Sequence, residues 1–148
     1  MPVEYRTGDL FLSDADALAH GCNCQGVMVA GIAVQFKKRY PEMFKQYQEE
    51  CRTKRFVLGS VLPYFASDGR LIFNLGTQKY PGPNADIKAI EHCLYIITSY
   101  PTRNNETLKS IALPRIGCGL GGLSWKDVQE VIEKVGSLTK INLIVYTL

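Results

Sequence analysis

Four glycines fall within six residues near the end of the printed sequence: Gly117, Gly119, Gly121 and Gly122. An apolar, strand-like segment (residues 111–113) precedes them, and Ser124, a residue type that often caps a helix, follows. A run with so few side chains leaves backbone N–H groups free to face a ligand, and a helix N-terminus adds positive potential. The stretch therefore predicts a cradle for an anion such as phosphate, with a plain turn as the alternative.

The same stretch matches the pattern G-x-G-x-x-G through Gly117, Gly119 and Gly122. In a dinucleotide-binding fold this pattern lies in the first βα turn, with an acidic residue roughly 20 positions later and further βα units behind it. Here the next strand-like segment (residues 141–146) carries no acid, and the printed sequence ends at Leu148. We therefore reject a nicotinamide-dependent oxidoreductase.

The sequence also holds five cysteines and two histidines. Cys22 and Cys24 are separated by one residue, which is tighter than the C-x2-C of zinc sites, and no second pair completes a tetrahedron. The pattern predicts reduced thiols beside strands and no metal site. Cys118, within the glycine stretch, is a candidate nucleophile only if His20 or His92 lies close enough to act as its base.

The composition is that of an ordinary globular protein, because 46% of the 148 residues are hydrophobic and 21% are charged. This length predicts one domain over residues 1–148 with a core of its own. No apolar run approaches a membrane span of roughly 18 residues, and the N-terminus lacks the apolar core of a signal peptide. A cytoplasmic location without membrane contact is therefore expected. The net charge of +3 suits an anionic ligand but is too small to indicate nucleic-acid binding by itself.

Strand-like and helix-like segments alternate along the chain. Alternating or buried apolar patterns predict strands at residues 3–6, 15–22, 60–65, 70–75, 111–113 and 141–146, with a hairpin turn at 67–69. Helical spacing predicts helices from residue 32, from Pro41, over 84–100 and over 124–135, with a polar linker at 51–55 and a turn at 101–106. This order predicts an α/β domain with a mixed, centrally parallel sheet. The loops expected to meet beyond its strand ends are residues 23–31, 76–83 and 116–123, with the Gly8-Asp9 turn as a fourth.

Four motifs in order give the chain a family resemblance: Gly8-Asp9-Leu10, residues 23–33 (NCQGVMVAGIA), residues 114–125 (PRIGCGLGGLSW) and the terminal VYTL. Together they resemble a macro domain over nearly the whole chain. The chain is most similar to a branch that holds terminal ADP-ribose protein glycohydrolase and ADP-ribose-1″-phosphate phosphatase. Residues 36–44 also resemble the macro domains of DNA ADP-ribosyl glycohydrolase antitoxins. The resemblance implies a three-layer fold and a ligand of the ADP-ribose type, with no cofactor and no metal.

The resemblance also implies a role for each motif. Asp9 and Leu10 would contact adenine, Tyr146 would line the same pocket, and Asn23 would hydrogen-bond the distal ribose. Backbone amides of two loops would bind the diphosphate. The apolar side chains of Val29 and Ile116, which belong to these loops, would close over the ribose. The residues implied in these loops are Gly26, Val29, Gly31, Ile32, Ile116, Gly117, Cys118, Gly119, Leu120 and Gly121. Without the resemblance, Asp9 is an ordinary turn residue, Asn23 an Asx-turn and Tyr146 a core tyrosine.

Two positions depart from the catalytic pattern that the resemblance implies. The glycohydrolase branch uses a lysine and an aspartate, whose places are taken here by Gln78 and Gly121, with Lys79 next to the first. Glutamine cannot form a Schiff base, which puts a covalent lysine mechanism in doubt. His20 lies where the phosphatase branch also has histidine and is a candidate general acid or base, with a half-buried structural histidine as the alternative. The candidate catalytic residues are His20, Asn23, Gln78 and Lys79.

Three functions stay open at this point. The first, which we favour, is a hydrolase that releases phosphate or another conjugated group from C1″ of ADP-ribose, with ADP-ribosylated protein or nucleic acid as further substrates. The second is a reader that binds ADP-ribose without chemistry, which the loss of the lysine–aspartate pair supports. The third, a nucleic-acid binder, rests only on the basic clusters at residues 37–39 and 52–55, and such clusters are usually solvated helix faces.

Trp125 is expected to anchor a helix in the core, and the protein is expected to be a monomer.

Overall fold

The computed structural model describes residues 3–101 and 108–148, which fold around one six-stranded sheet. The strands are β1 (Val3–Thr7), β2 (Ala17–Asn23), β3 (Val61–Phe65), β4 (Leu71–Gln78), β5 (Ser110–Leu113) and β6 (Asn142–Thr147). Their order across the sheet is β1-β6-β5-β2-β4-β3, and every neighbouring pair is parallel except β3 and β4. The prediction of a mixed, centrally parallel sheet is confirmed. The turn predicted at 101–106 lies outside the described residues, apart from Pro101.

Four helices cover the two faces of the sheet, giving three layers. They are α1 (Ile32–Arg39), α2 (Pro41–Arg52), α3 (Ile87–Thr98) and α4 (Trp125–Gly136). Side chains of β2 alternate between the faces, because successive residues of a strand point in opposite directions. Ala17 and Ala19 belong to the core under α3 and α4, whereas Leu18 and Cys22 belong to the core under α1 and α2. Within the described residues, none of the helices has the length and apolar character needed to cross a lipid bilayer.

Local sequence sets where the helices begin. Pro41 occupies the first turn of α2, where its missing N–H loses no hydrogen bond. Asp86 caps α3, since its Oδ1 accepts a hydrogen bond from Ala89 N at 3.0 Å. Ser124 stands at the N-cap of α4, although its side chain makes no capping hydrogen bond. The predicted hairpin turn is confirmed, because Ala66 N donates to Arg70 O at 2.8 Å across it.

Several predicted boundaries are wrong: the helix predicted over 84–100 is Ile87–Thr98, the strand predicted at 15–22 is Ala17–Asn23, and two further errors have a clear physical reason. The loop predicted from Gly76 begins only after Gln78, because Gly76 is a strand residue at a close approach of two backbones. A Cβ on Gly76 would lie 2.5 Å from Val57 O, so this glycine serves packing and does not mark a turn. The polar linker predicted from Cys51 is also shorter, since α2 continues to Arg52. Cys51 lies on the buried face of this helix.

Candidate functional site

A cleft opens at the carboxyl ends of β2, β4 and β5, the edge at which sheets of this class usually bind ligands. Its volume is about 390 Å³. Three loops form its walls: the asparagine loop (residues 23–31) after β2, the proline loop (residues 79–86) after β4 and the glycine loop (residues 114–123) after β5. The structure thus brings together the three segments that the sequence predicts to meet.

Unpaired backbone N–H groups line two sides of the cleft. On one side, the first turn of α1 leaves the N–H groups of Ile32 and Ala33 without intrahelical partners, because a helix cannot satisfy its own first donors. On the other side, the N–H groups of Gly119 and Leu120 make no hydrogen bond to any residue in the described part of the chain. Donors from opposite walls, together with the dipole of α1, give this cleft a chemistry that favours an anion.

Two glycines of these walls are required for different reasons, one by its backbone conformation and one by close packing as well. Gly31 begins α1 with φ 62° and ψ −148°, a conformation that residues with a Cβ rarely adopt. Gly117 has φ 78°, and a Cβ there would lie 2.7 Å from Ile90 Cδ1 and 3.0 Å from Leu123 Cδ1. The glycine loop is therefore a fixed turn and not a flexible connection.

The loop residues predicted to clasp a diphosphate all line the cleft, with one exception. Gly26 lies on the side of the asparagine loop that packs against α2, where its carbonyl accepts a hydrogen bond from Gln48 Nε2 at 3.3 Å. Its φ of 82° lets the chain turn there, so Gly26 shapes the loop from behind and does not face the cleft. Val29, at the tip of the same loop, is 70% exposed and free to move over a ligand.

Asn23 both lines the cleft and organises the loop that bears its name. Its Nδ2 donates to Val27 O at 2.9 Å, and its Oδ1 accepts from Gln25 N at 2.9 Å, which is the Asx-turn considered as the alternative. Oδ1 also accepts from the Tyr47 hydroxyl at 3.0 Å. Because an amide nitrogen carries two hydrogens, one N–H of Asn23 stays available to a ligand hydroxyl.

Tyr47 is a positioning residue that the sequence analysis missed. Its ring is fully buried under the asparagine loop, and its hydroxyl donates to Asn23 O at 2.8 Å. Burial raises the pKa of this hydroxyl far above its usual range, so it keeps its proton at any working pH. The residue type could have identified Tyr47 from the sequence, because a tyrosine on the apolar face of a helix needs a hydrogen-bond partner for its hydroxyl.

Gln78 lines the cleft, whereas the neighbouring Lys79 does not. Gln78 Nε2 donates to Tyr80 O at 2.6 Å and to Gly82 O at 3.0 Å, so both of its amide hydrogens hold the proline loop. Lys79 lines a separate depression behind the asparagine loop, with Cys24 and Arg52. In this geometry Lys79 does not take the place of the lysine that the resemblance implies.

Gly121 leaves no room for an aspartate in the present packing. A Cβ on Gly121 would lie 2.9 Å from Ala85 Cβ and 3.3 Å from Gln78 Oε1. Both departures from the implied catalytic pair thus meet at one place, because the Gln78 side chain lies directly against Gly121.

His20 lies in the core and not in the cleft. Its ring is fully buried, stacks on Phe36 with ring centroids 3.8 Å apart, and its Nε2 is 2.7 Å from Asn74 Oδ1. Burial lowers the pKa of His20 to about 4, although the hydrogen bond to Asn74 opposes this shift in part. The predicted catalytic histidine does not fit this position, because α1 covers the face of β2 on which residue 20 stands.

The cysteines are free thiols, as their spacing predicts. Cys118 lines the cleft, but burial raises the pKa of its thiol even though Arg115 nearby lowers it in part. Neither histidine reaches the cleft walls, so the structure supplies no base to activate Cys118. Among the described residues, no group of three or more His, Cys, Asp and Glu side chains converges to hold a metal ion.

A second depression of about 450 Å³ adjoins the cleft. Asp9, Leu10 and Tyr146 line it, and these are the residues predicted to contact adenine. Asp9 Oδ1 accepts a hydrogen bond from Phe11 N at 2.9 Å, so one carboxylate oxygen is used to cap a short 3-10 turn (Leu10–Leu12). The two depressions share Ile32, Pro114 and Arg115 on their walls.

Arg115 is the cation at this junction, and the sequence analysis did not single it out. Its guanidinium carbon lies 4.6 Å from the centroid of the Trp125 ring, in a cation–π contact. Trp125 in turn packs edge-on against Tyr5, with centroids 6.3 Å apart. Trp125 therefore anchors α4, as expected, and also holds a positive charge beside the path of an anionic ligand.

The comparison with family models agrees with this geometry. Residues 19–132 match the model of the macro domain. The chain belongs to the macro domain family. The resemblance read from its four motifs is thereby confirmed.

Three curated relatives carry names that describe related hydrolytic activities. The chain is 33% identical over 150 residues to the DNA ADP-ribosyl glycohydrolase of Mycobacterium tuberculosis, covering 97% of this chain and 42% of that protein. It is 33% identical over 147 residues to human ADP-ribose glycohydrolase OARD1, covering 99% of this chain and 91% of the relative. It is 30% identical over 152 residues to the ADP-ribose 1″-phosphate phosphatase of Lodderomyces elongisporus, covering 93% of this chain and 95% of that relative. The chain thus spans less than half the length of the mycobacterial relative.

Solved structures show the same fold. The macrodomain of Mycobacterium tuberculosis DarG superposes with a TM-score of 0.85 at 33% identity, covering 99% of this chain and 97% of that one. Thermosipho africanus DarTG in complex with ADP-ribose gives a TM-score of 0.81 at 29% identity, covering 94% of this chain and 39% of that one. These similarities confirm the predicted three-layer macro domain fold.

Proposed function

We propose that this macro domain binds ADP-ribose and hydrolyses conjugates attached at its C1″ position. The observation that carries the proposal is the cleft with unpaired N–H groups on two walls, which continues past Arg115 into a second depression. A diphosphate would lie between the walls, and a purine would lie in the depression at Asp9 and Tyr146. Relatives named as ADP-ribose hydrolases, and a structural neighbour solved with ADP-ribose, support the same ligand.

The far end of the cleft would receive the distal ribose. Asn23 offers one free amide hydrogen there, and Gln78 offers its Oε1, because its amide hydrogens are bound to the proline loop. Val29, exposed at the loop tip, would cover the sugar. The conjugated group at C1″ would then leave the cleft between the asparagine and proline loops.

The cleft supports direct attack by water and not a covalent intermediate. Within the described part of the chain, no amine lines the cleft to form a Schiff base, and no carboxylate or imidazole lines it to act as general acid or base. Water adds to C1″, the bond from C1″ to the leaving oxygen breaks, and the proton of the water goes to solvent. The leaving group departs as an anion. This chemistry favours phosphate and carboxylate leaving groups, which need no protonation by the protein.

A reader without turnover is the second candidate. The specific observation in its favour is the pair at 78 and 121, where a clamped glutamine amide faces a glycine and no acid is present. A reader would bind ADP-ribose in the same cleft and release nothing from C1″.

Calorimetry with free ADP-ribose tests the binding part of the proposal. Asp9→Ala is expected to weaken binding by about tenfold, roughly 1.4 kcal/mol, because it removes the carboxylate from the adenine end. Asp14→Ala is the matched control, since Asp14 is exposed and lies outside both depressions. Equal affinities for the two variants, or no heat of binding for the unaltered protein, would refute the assigned ligand site.

A turnover panel separates hydrolase from reader. The unaltered protein is incubated with ADP-ribose-1″-phosphate, with a protein carrying ADP-ribose on carboxylates, and with an ADP-ribosylated oligonucleotide. Release from at least one substrate, fastest for phosphate or carboxylate leaving groups, is the expected result. Tight binding of ADP-ribose with no release from all three would establish the reader instead.

A further inference from the structure

A groove on the outside of α1 and α2 is a second concave surface of the domain. Its volume is about 720 Å³, and we call it the helix groove. The two helices follow each other with only Tyr40 between them, and the tip of the asparagine loop forms part of the same wall. Apart from Met28 and Val29, the residues that line the helix groove do not line the cleft.

The two helices line the groove with the same spacing of residues. Each contributes side chains at positions i, i+3 and i+4, the spacing at which residues share one face of a helix. Both helices bury a different face against the sheet, with Phe36, Met43 and Tyr47 fully buried there. The groove is therefore bounded by an outward face of each helix. The residues on these faces are Val34, Lys37, Lys38, Pro41, Phe44 and Lys45.

Apolar surface in the helix groove is exposed. Val34 is 42% exposed and Val29 is 70% exposed. Phe44 is half-buried, and Lys37 Nζ lies 4.4 Å from the centroid of its ring. Single exposed apolar residues are ordinary, but apolar residues that converge in one groove with a polar rim are typical of a protein contact site.

The charges in the helix groove have one sign. Lys37, Lys38 and Lys45 line it, and no Asp or Glu among the described residues does so. In residues 3–101 and 108–148, no carboxylate lies within 4.0 Å of the amines of Lys37 and Lys38. Lys45 pairs with Glu42 at 3.2 Å, but both side chains are exposed, and such pairs contribute little to stability. The complementary partner for this groove is acidic.

A helix is the form of partner that matches these walls. Helices hydrogen-bond their own backbone, so the walls offer no open sheet edge with which an extended peptide could pair. A small anion would neutralise the lysines but would leave Val29, Val34 and Phe44 in contact with water. An amphipathic helix with acidic flanks satisfies both needs, because its apolar stripe packs into the groove while its carboxylates reach the rim.

We infer that the helix groove is a docking site for an acidic amphipathic helix of a partner protein. The apolar stripe of that helix packs on Val34 and Phe44, and its carboxylates pair with the three lysines. The inference goes beyond the proposed function and does not rest on it, because no residue assigned to the ligand except Val29 takes part.

The test uses a fluorescein-labelled 14-residue peptide of leucine and glutamate, with a leucine at every third or fourth position so that the leucines share one helix face. Its fluorescence anisotropy is followed as protein is added, and the unaltered protein is expected to bind it. Lys38→Glu/Lys45→Glu should bind about tenfold more weakly, because two attractive charges become repulsive. Val34→Gln should bind about fourfold more weakly, because it removes exposed apolar surface without any change in charge.

Two controls separate the groove from net charge. Lys88→Glu/Lys126→Glu changes the net charge by the same amount at exposed lysines of α3 and α4, on the other face of the sheet, and should bind as the unaltered protein does. A peptide of the same composition, shuffled so that its leucines surround the helix, should bind about tenfold more weakly than the first. Circular dichroism and thermal melts establish that every variant is folded.

Four results would overturn the inference. The first is that the unaltered protein does not bind the amphipathic peptide. The second is that the shuffled peptide binds equally well, or that the α3/α4 variant loses as much affinity as the groove variant, since charge alone would then explain binding. The third is that phosphatidylserine vesicles sediment the unaltered protein but not Lys38→Glu/Lys45→Glu, and that the peptide does not compete, which would assign the groove to a membrane surface. The fourth is a dimer in sedimentation velocity that the same variant abolishes, because a second copy of the chain would then occupy the groove.

Discussion

The hydroxyl of Tyr47 holds the asparagine loop in place, and its removal should affect both stability and ligand affinity. This one donor lies 2.8 Å from Asn23 O, 3.0 Å from Asn23 Oδ1 and 3.3 Å from Val27 O. Tyr47→Phe removes the donor and keeps the buried ring. The acceptors on Asn23 and Val27, which are partly buried, then lose this donor beside a ring that is fully buried.

A buried polar group left without a partner costs about 1–3 kcal/mol of stability. For a chain of 148 residues, 1 kcal/mol corresponds to roughly 2–4 °C in the melting temperature. We therefore expect Tyr47→Phe to melt several degrees below the unaltered protein. ADP-ribose affinity should fall as well, by about tenfold, because the ligand must now order the asparagine loop on binding.

Tyr40→Phe is the matched control. Its hydroxyl donates to Asp68 Oδ2 at 3.0 Å in an exposed position, so its loss should change stability by less than about 0.5 kcal/mol. Differential scanning calorimetry and ADP-ribose titration are carried out on both variants. Equal melting temperatures for the two variants would refute the role of the Tyr47 hydroxyl. A lower melting temperature with unchanged ADP-ribose affinity would show that the asparagine loop is not part of the ligand site.

Three further predictions follow from the core and the cleft. The unfolded chain takes up a proton on His20 below its ordinary pKa of 6.5, whereas the folded state resists protonation until about pH 4. Stability should therefore fall by roughly 3 kcal/mol as the pH drops through this window. In urea unfolding, the free energy of unfolding of His20→Gln should fall by correspondingly less between pH 7 and pH 4 than that of the unaltered protein. An equal fall in both proteins would count against the buried histidine as the cause. Gly121→Asp should destabilise the protein by about 1–3 kcal/mol through its contact with Ala85, and Gly121→Asp/Ala85→Gly should recover much of that loss in thermal melts. Gln78→Ala should weaken ADP-ribose binding in calorimetry, with only a small change in melting temperature, because it frees the proline loop without disturbing the core. An unchanged affinity would mean that this loop does not contact the ligand.

The sequence predicts those parts of the site that depend on the backbone. Glycines such as Gly31 and Gly117 mark positions of positive φ, and the alternation of strands and helices fixes which loops share an edge of the sheet. Gly76 shows the limit of this reasoning. A glycine can also mark a close approach between a strand and a loop, and only the fold shows that Val57 O lies against Gly76.

Side-chain roles are harder to predict because they depend on what covers each face. His20 shares its face of β2 with Leu18 and Cys22, but only the packing of Phe36 from α1 makes it a core residue. The same limit applies to Lys79. Gln78, the residue before it, lines the cleft, whereas Lys79 follows the end of β4 and lines another depression.

The shared wall between the cleft and the depression at Asp9 and Tyr146 has a practical consequence for ligand discovery. Ile32, Pro114 and Arg115 border both cavities, so two small fragments bound one in each cavity would lie side by side. A short linker between such fragments makes the second binding event intramolecular, and the effective concentration then reaches the millimolar range. Two weak fragments joined across Arg115 would therefore give a much tighter inhibitor without any new contact to the protein.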